Sequence, residues 1–452
     1  MDRRNKMESM AMGRLITEMS IPMMLSLLIQ SLYNIVDSAF ISRLSEDALA
    51  ATSFAYPVQM LMIAVGVGTA VGLNAVLSKA LGAKKKDEAN MIAATGAALS
   101  VISGIVFMVI GLLFSKSIAA VFASDGNIAE ECGEYLWICM VFSIGNMVSM
   151  MYQRLMQATG RTVLSMVILI CGAVTNIVLD PIMIFGQLGC PAMGVKGAAI
   201  ATVIGQWVSM CVGFILQRFF NRDVKVSFRS FRFNAAYIKG IYRVGFPTII
   251  TQAMQSMMVT CVNAILQPFS TTAVAFFGVY YKLQSFLFMP MNGLGQADIP
   301  IIGYNYGAKN PDRIKKAMKL TYPAAAVIAL IGTAAFMILP EQLLGIFAAS
   351  DAMLKVGVPA LRIIAPTFIL ASVTTISGYC ASGLQDGITN MAGAVIRQFI
   401  PLIPCVWILA KTGGIGTVWY AFWISEIPAM IFGMLRIRSL MKKRVLTMEN
   451  GG

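Results

Sequence analysis

Long apolar runs dominate the sequence. Each has about twenty residues or more, the length that an α-helix needs to cross the hydrocarbon core of a membrane. Lipid offers the backbone no hydrogen-bond partners, so each run is expected to be helical. Twelve runs are present, near residues 15–41, 48–78, 90–114, 134–155, 162–186, 194–217, 238–267, 272–302, 317–340, 356–381, 388–410 and 413–437. The sequence therefore predicts an all-α polytopic membrane protein with twelve transmembrane helices.

The composition argues against a soluble protein. Only 12% of the residues are charged and 58% are hydrophobic, whereas soluble domains have about 25% charged residues. The net charge of +14 would suggest nucleic acid in a soluble protein, but here the basic residues lie in short loops beside apolar runs. No nucleic-acid partner is therefore expected. His is absent and no two Cys have CxxC spacing, so the sequence predicts neither an enzyme nor a metal centre.

Lys and Arg residues indicate the orientation. With a cytoplasmic N-terminus, 27 of the 35 Lys and Arg residues fall in cytoplasmic segments and 6 fall in outside loops. Cytoplasmic loops of membrane proteins carry this excess of basic residues. We therefore expect a multi-pass protein of the cell (inner) membrane with both termini in the cytoplasm.

The two halves of the chain repeat each other. An even number of spans in each half gives both halves the same orientation, related by a pseudo-two-fold axis along the membrane normal. We expect two six-helix bundles, an N-lobe (1–217) and a C-lobe (238–452), joined by a cytoplasmic linker (218–237). The matching motifs, at offsets of 225 or 226, are Ile21-Pro22 with Phe246-Pro247, Gly82-Ala83-Lys84 with Gly307-Ala308-Lys309, and Phe122-Ala123-Ser124-Asp125 with Ala348-Ala349-Ser350-Asp351.

Two acidic residues of the N-lobe share a depth in the membrane. Asp37 and Asp180 lie late in spans 1 and 5, which both run outward, and no basic residue of that lobe lies at that depth. An ionisable group inside a span costs roughly 2.5–3.5 kcal/mol, so it needs a partner or a function. Two unpaired carboxylates at one level suit a cation: one can hold a proton, or both can chelate Na⁺. Na⁺ at this pair is the one metal ion that the sequence suggests.

Polar neighbours extend this site. Asn176 precedes Asp180 by one helical turn, so it faces the same side, and Thr202 in span 6 offers another oxygen. Tyr33 and Asn34 are expected as supporting partners of Asp37. In the alternative reading, the two acids only brace or cap helices, since an Asp before Pro, as in Asp180-Pro181, often ends a helix.

These motifs together resemble the multidrug and toxic compound extrusion (MATE) family, in its bacterial multidrug-exporter branch. The resemblance spans essentially the whole chain. It implies a two-lobed, twelve-helix antiporter in which Asp37, Asn176, Asp180 and Thr202 form the ion site of the N-lobe. The residues that carry it are Pro22, Tyr33-Asn34-Ile35-Val36-Asp37, Asn176-Ile177-Val178-Leu179-Asp180-Pro181, Gly197-Ala198-Ala199-Ile200-Ala201-Thr202 and the two Gly-Ala-Lys loops.

The C-lobe departs from this pattern. The position equivalent to Asp37 holds Val262, and Gln255 stands where some MATE branches carry a Glu. Gln cannot release a proton, but it can hydrogen-bond a substrate. Lys282, Arg397 and Glu426 fall near the middle of spans 8, 11 and 12 and suggest a paired network, in which Arg397 and Glu426 are read mainly as a bracing ion pair. Asp298, near the inner end of span 8, lines an inner vestibule or is simply solvated.

The predicted function is secondary active export of amphipathic, often cationic organic compounds in exchange for H⁺ or Na⁺, by rocker-type alternating access. No Walker A motif is present, which argues against an ATP-driven pump. No cofactor other than the coupling ion is expected, and the chain is expected to act as a monomer. Clustered Met residues (Met147, Met150, Met151) and Tyr56 suit a polyspecific pocket, although both types also fill ordinary helical bundles.

The sequence leaves three functions open besides ion-coupled export. A lipid-linked oligosaccharide flippase would share the architecture but needs a broad, strongly basic cavity, for which Lys282 and Arg397 give slight support. A membrane-embedded enzyme needs a clustered acid, base or metal set, which the sequence lacks. A channel would not need an ion site confined to one lobe.

Overall fold

The computed structural model describes residues 5–122, 126–227, 233–347 and 349–448. Within these residues the regular secondary structure is helical, without β-strands, so the all-α prediction is confirmed. The first half contains α1 (Lys6–Ser9), α2 (Met12–Ile41), α3 (Glu46–Gly82), α4 (Lys86–Phe122), α5 (Gly126–Val141), α6 (Ile144–Ala158), α7 (Thr162–Phe185) and α8 (Gly194–Phe220). The second half contains α9 (Ala235–Leu266), α10 (Thr271–Gly307), α11 (Pro311–Ile338), α12 (Pro340–Gly345), α13 (Asp351–Ile364), α14 (Thr367–Gly383), α15 (Gly387–Gln398), α16 (Leu402–Thr412) and α17 (Ala421–Leu440).

The twelve predicted spans all lie on helices. In the described part of the chain, nine helices are long and apolar enough to cross a membrane, with α15 and α16 counted as one. Two further spans are helix pairs that bend at a short break, α5 with α6 by 50° and α13 with α14 by 54°. The twelfth span is the predicted run 272–302, which lies in α10, a 37-residue helix whose apolar sequence is interrupted by polar side chains.

The two bends were not predicted from the sequence. At each bend a backbone carbonyl accepts a hydrogen bond from the N–H three residues later and a second one from a side chain of a neighbouring helix. Trp207 Nε1 donates to the carbonyl oxygen of Phe142 at 3.1 Å, and Thr333 Oγ1 donates to that of Ala365 at 2.9 Å. In membrane proteins, side chains of neighbouring helices often hydrogen-bond the backbone groups at a break in a helix.

The chain forms two compact units. Of the described residues, unit 1 contains residue 5 and those in the range 25–249, and unit 2 contains those in the ranges 6–24 and 250–448. The division therefore falls inside α2 and α9 rather than in a loop, so the first part of each of these helices belongs to the other unit. The predicted linker at 218–237 lies within unit 1, apart from residues 228–232, which are outside the described residues. The assignment of whole spans to an N-lobe and a C-lobe stays a prediction.

The internal repeat extends to backbone detail. Helices α3 and α10 both have 37 residues and begin 225 positions apart. Ser45 and Ser270 cap their N-termini by accepting from Ala48 N and Ala273 N. After their ends, Lys84 and Lys309 both adopt a left-handed backbone with φ of 58° and 53°. Much of the motif at 122–125 and its partner residue 348 lies outside the described residues.

Helices α7 and α8 pack closely in unit 1. A Cβ at Gly205 would lie 2.8 Å from the carbonyl oxygen of Gly172 and 3.2 Å from the Cβ of Asn176. Small residues allow this backbone approach between membrane helices. The glycine therefore brings the α8 backbone against the face of α7 that carries Asn176.

Candidate functional site

Asp37 and Asp180 come together in unit 1. Asp37 lies four residues before the end of α2, and Asp180 lies five residues before the end of α7. Their carboxyl groups are within hydrogen-bonding distance of each other. A hydrogen bond between two carboxyl groups requires that one of them carry a proton, because two carboxylates have no hydrogen to share.

Asn176 links Asp180 to α8. Its Nδ2 donates to Asp180 Oδ1 at 3.2 Å and to Thr202 Oγ1 at 3.3 Å. All three residues are buried, and Asp180 is 0% exposed. Helix α7 continues through Pro181 to Phe185, so Asp180 does not end the helix as the capping alternative requires. The structure thus brings the four predicted site residues together.

Three oxygen atoms of this site lack a donor. Asp37 Oδ1, Asp180 Oδ2 and Asn176 Oδ1 are shielded from solvent and accept no hydrogen bond from the described residues. Within that part of the chain, neither Asp forms an ion pair with Lys or Arg. Buried polar atoms are normally satisfied. These oxygens are therefore free to bind a proton or a hard cation such as Na⁺, which prefers oxygen ligands.

A cavity of about 540 Å³ lies beside these residues in unit 1. Asp37, Asn176 and Thr202 line it, as do the predicted supporting residues Tyr33 and Asn34. Its volume is within the range of drug-sized ligand sites. Other lining residues include Tyr56, Met60, Met62, Tyr135 and Met150. Of the predicted Met cluster, Met150 therefore lines the cavity, whereas Met147 and Met151 are buried core residues.

A polar trio in this cavity was not predicted from the sequence. Gln59 Nε2 donates to Tyr135 Oη at 3.1 Å and contacts Cys139 Sγ at 3.7 Å. Tyr135 and Cys139 interact electrostatically with Asp37. The available signal was weak: Gln59 is one of two amide side chains in the apolar run 48–78, and Tyr135 and Cys139 share a helix face at a spacing of four.

A basic residue lies toward the other end of the cavity. Arg154, near the C-terminus of α6, lines the cavity and donates from a terminal guanidinium nitrogen to Gln157 Oε1 at 2.9 Å. Gln157 Nε2 in turn donates to Ser165 Oγ at 3.0 Å. Since α7 starts after α6 and runs to the opposite end of the bundle, Arg154 and Asp180 lie at opposite ends. The cavity is thus acidic at one end and basic at the other.

The match to known proteins covers most of the chain. The family described as MatE matches residues 22–182 and 247–407, more than half of the sequence. The chain belongs to the MATE family. The two matched segments of this MATE protein begin and end 225 residues apart, at the offset of the repeat seen in its sequence and structure.

Relatives of this MATE protein agree in length and fold. The multidrug export protein MepA of Staphylococcus aureus (strain bovine RF122 / ET3-1) is 24% identical over 421 residues, 92% of this chain and 91% of that protein. A solved outward-facing multidrug resistance MATE family transporter of the MOP superfamily has a TM-score of 0.89 at 25% identity, covering 98% of this chain and 99% of that chain. A solved MATE in complex with MaL6 has a TM-score of 0.90 at 24% identity, covering 98% and 100%. The predicted family and the multi-span transporter fold are confirmed.

Unit 2 of this MATE protein holds a buried ion pair. Arg397 Nε lies 2.5 Å from Glu426 Oε1, and the two side chains are 19% and 4% exposed. The Arg397 guanidinium also lies over the ring of Phe288, 5.3 Å from its centroid. Glu426 Oε2 has no hydrogen-bond partner among the described residues. The structure therefore contains the ion pair that was read from the sequence as a brace.

Two other predicted C-lobe residues lie outside this pair. Lys282 is exposed, and its Nζ lies over the ring of Phe347 at 5.9 Å from the centroid, so it does not join the predicted network with Glu426. An exposed ammonium keeps the hydration that burial beside Glu426 would remove. Gln255 is exposed on α9.

Unit 2 has no counterpart of the Asp37–Asp180 site. At the offset of 225, Asp37, Asn176 and Asp180 correspond to Val262, Pro401 and Cys405. Val262 is buried, and Pro401 lies in the break between α15 and α16. The carboxylate pair is thus specific to unit 1.

Proposed function

We propose that this MATE protein exports amphipathic, often cationic organic compounds in exchange for H⁺ or Na⁺. The observation that carries the proposal is the contact between Asp37 and Asp180 at the wall of a drug-sized cavity. Unpartnered oxygens on both acids leave room for a small cation. A substrate with positive charge competes for the same negative charge, which couples its release to ion binding.

The cavity surface supports a broad substrate range. Met side chains repack around different apolar shapes, and the rings of Tyr33, Tyr56 and Tyr135 offer faces that attract cations. Amide and hydroxyl side chains in the lining, among them Gln30, Ser53 and Gln153, can hydrogen-bond polar groups of a substrate. The multidrug export function of the relatives named above agrees with such a surface.

Both H⁺ and Na⁺ fit the coupling site. A proton needs only the contact between the two carboxyl groups, since one acid then donates to the other. Na⁺ needs several oxygens, and the described residues contain no cluster of three or more acidic, His or Cys side chains. It would therefore draw on the Asn176 carbonyl and the Thr202 hydroxyl as well.

The transport cycle is proposed to use rocker-type alternating access in the cell membrane, with both termini in the cytoplasm and the chain acting as a monomer. The excess of basic residues in the segments assigned to the cytoplasm supports this orientation. Coupling-ion binding from outside would favour substrate release there, and ion release inside would reset the protein.

The flippase alternative finds little support. It requires a strongly basic cavity for a pyrophosphate, but Arg397 is paired with Glu426 and Lys282 lies over Phe347. The unit 1 cavity is acidic at one end and has Arg154 at the other. The lining favours a cation over a polyanion.

Gradient-driven transport tests the proposal. Purified protein in liposomes that trap ethidium would be exposed separately to a pH gradient and a Na⁺ gradient, in the wild type, Asp37→Asn and Asp87→Asn. Asp87 is exposed in the first turn of α4 and serves as the matched control. We expect Asp37→Asn to lose at least about tenfold in rate under the effective gradient, equivalent to about 1.4 kcal/mol, and Asp87→Asn to keep the wild-type rate. Wild-type transport by Asp37→Asn under both gradients would refute the proposed site.

A further inference from the structure

Asp298 is a fully buried carboxylic acid in unit 2. It lies on α10 and is 0% exposed, so the expectation that it lines an inner vestibule or is solvated is wrong. Its described partners come from two other helices. Thr321 Oγ1 of α11 donates to Asp298 Oδ1 at 3.0 Å, and Cys380 Sγ of α14 lies 3.9 Å from Asp298 Oδ2. The side chain is thus enclosed by three packed helices.

The donors around Asp298 would not satisfy the hydrogen-bond acceptors of a charged carboxylate. The Thr321 hydroxyl has one hydrogen, yet it lies 3.0 Å from both Asp298 Oδ1 and the carbonyl oxygen of Ala317. A thiol such as that of Cys380 is a weak donor. If Asp298 is protonated, its own hydrogen goes to Thr321 Oγ1 and the Thr321 hydrogen goes to Ala317. Every group is then satisfied.

Arg313 of α11 and Lys6 of α1 have partners other than Asp298. Arg313 on α11 donates to Asn305 Oδ1 at 3.1 Å and to the carbonyl oxygens of Met7 and Met10 at 2.9 Å each. Lys6 on α1 pairs with Glu18 at 2.8 Å. No Lys or Arg within the described ranges forms an ion pair with Asp298.

Two further helices contact α10: α2, where Met24 meets Gly293 and whose Glu18 pairs with Lys6, and α13. Helix α13 packs against α10 where Gly357 meets Phe276, 22 residues or about 33 Å along the helix from Asp298. The titratable groups that do face Asp298 are Tyr322 on α11 and Cys380 on α14. Both are neutral in their protonated form, so neither balances a carboxylate.

The internal repeat shows that the fold does not need this polar contact. At the offset of 225, Asp298, Thr321 and Cys380 correspond to Leu73, Gly96 and Leu155. In unit 1, Leu73 and Leu155 are completely buried in one hydrophobic cluster, and Leu73 packs against Gly96. The same helix crossing is therefore made with apolar groups. Since an apolar replacement of a buried polar cluster is often neutral or stabilising, the acid in unit 2 calls for a functional explanation.

We propose that Asp298, with Thr321 and Cys380, forms a second proton-binding site, which takes up and releases one proton during transport. The proton comes from water and binds a carboxylate oxygen, so the side chain changes from −1 to neutral. On release the Thr321 hydrogen turns back to Asp298 Oδ1, and the carboxylate also faces the Cys380 thiol. The site is separate from the Asp37–Asp180 pair, and only its part in transport rests on the proposed export function.

A pair of hydroxyl groups lies near Asp298. Tyr322 Oη and Ser377 Oγ are 2.7 Å apart, and Tyr322 interacts electrostatically with Asp298. Tyr322 also lines a pocket of about 410 Å³ in unit 2, together with Arg438 near the C-terminal end of α17. Tyr322 therefore belongs both to this pocket and to the hydroxyl pair near Asp298.

Infrared difference spectroscopy tests proton binding directly. Purified full-length protein in lipid nanodiscs would be stepped between acidic and alkaline buffer, and the carbonyl band of protonated carboxyl groups would be compared in the wild type, Asp298→Asn and Asp37→Asn. We expect Asp298→Asn to remove one titrating carboxyl band that Asp37→Asn leaves in place. Cys380→Ser, which replaces the thiol with a stronger donor, should move that band in position or pH dependence. An unchanged titrating band in Asp298→Asn would overturn the proposal, because Asp298 would then keep one protonation state.

Transport assays test whether the proton is used. Under a pH gradient, Asp298→Asn is expected to slow ethidium export at least about tenfold, while ethidium exchange without a gradient remains near the wild-type rate. Wild-type rates in both assays would overturn the role in transport. Loss of both rates would mean that Asp298 is structural and would overturn it equally. If Asp37→Asn transports normally while Asp298→Asn does not, the proposed unit 1 site fails and the Asp298 site stands.

Discussion

Arg397 and Glu426 form an ion pair in unit 2 at positions where unit 1 has Gly172 and Ala201. In unit 1 these positions adjoin the polar site, because Gly172 lies one turn before Asn176 and Ala201 precedes Thr202. In this region unit 1 has Asn176, Thr202 and Asp180, an acid without a basic partner among the described residues. Unit 2 has the ion pair of Arg397 and Glu426 there. The two halves have the same helices but different electrostatics.

Removal of Arg397 alone should destabilise the protein. Arg397→Met would leave the buried Glu426 without its partner, and breaking a buried pair in this way costs about 3–5 kcal/mol. Thermal unfolding in detergent, followed by reaction of buried Cys residues with a thiol dye, would show a lower midpoint.

The double variant Arg397→Met with Glu426→Gln is the control for this prediction. It removes both charges, so most of the lost stability should return. If the double variant is as unstable as Arg397→Met, the pair acts through packing of the Arg397 chain on Phe288 rather than through charge.

The binding of a cation should release protons from the unit 1 site. At low pH the Asp37–Asp180 pair holds a proton, and a rise in pH removes it and leaves a more negative site, so a lipophilic cation should bind more tightly as pH rises. Calorimetry with tetraphenylphosphonium in buffers of different ionisation enthalpy would count the protons. We expect about one proton released per cation in the wild type and none in Asp37→Asn. A binding constant that does not change with pH in the wild type would contradict the prediction.

The sequence was informative where the membrane imposes simple rules. Run length predicted the spans, because each helix must satisfy its backbone inside lipid. Successive spans alternate in direction, so spans 1 and 5 run the same way. The late positions of Asp37 and Asp180 in these spans therefore predicted that the two side chains lie at one depth. A repeat offset of 225 residues was visible in short motifs, and it recurs in the helix caps and in the Lys84 and Lys309 backbones.

These rules do not predict the direction in which a side chain points from its helix. Hydropathy gives the depth of Lys282 but not its rotation, and the structure turns it toward Phe347 rather than Glu426. The bends next to Phe142 and Ala365 depend on donors from other helices. Asp298 was placed near solvent because its depth was known and its neighbours Thr321 and Cys380 were not.

The Asn176 amide should be needed to orient Asp180. Asn176→Ala removes the donor to Asp180 Oδ1 and the link to Thr202, and loss of a partner that orients a ligand group typically costs roughly 10- to 100-fold in ion affinity or activity. Gradient-driven ethidium export would measure the loss. Thr175→Ala is the neighbouring control, since the Thr175 hydroxyl donates to the Cys171 carbonyl of its own helix. An equal loss in both variants would point to a general defect of α7.

The close approach of α8 to α7 should be required for the site. Gly205→Ala would place a Cβ 2.8 Å from the Gly172 carbonyl oxygen and 3.2 Å from the Asn176 Cβ. The helices must then separate, at a cost of about 1–3 kcal/mol, and Thr202 would move away from Asn176. We expect a lower thermal midpoint together with slower export. The control is Gly416→Ala, where an added Cβ meets no described atom within 4 Å. If Gly205→Ala lowers stability but leaves the cation dependence of transport intact, then Thr202 contributes packing rather than a ligand oxygen, because its displacement would not have disturbed ion binding.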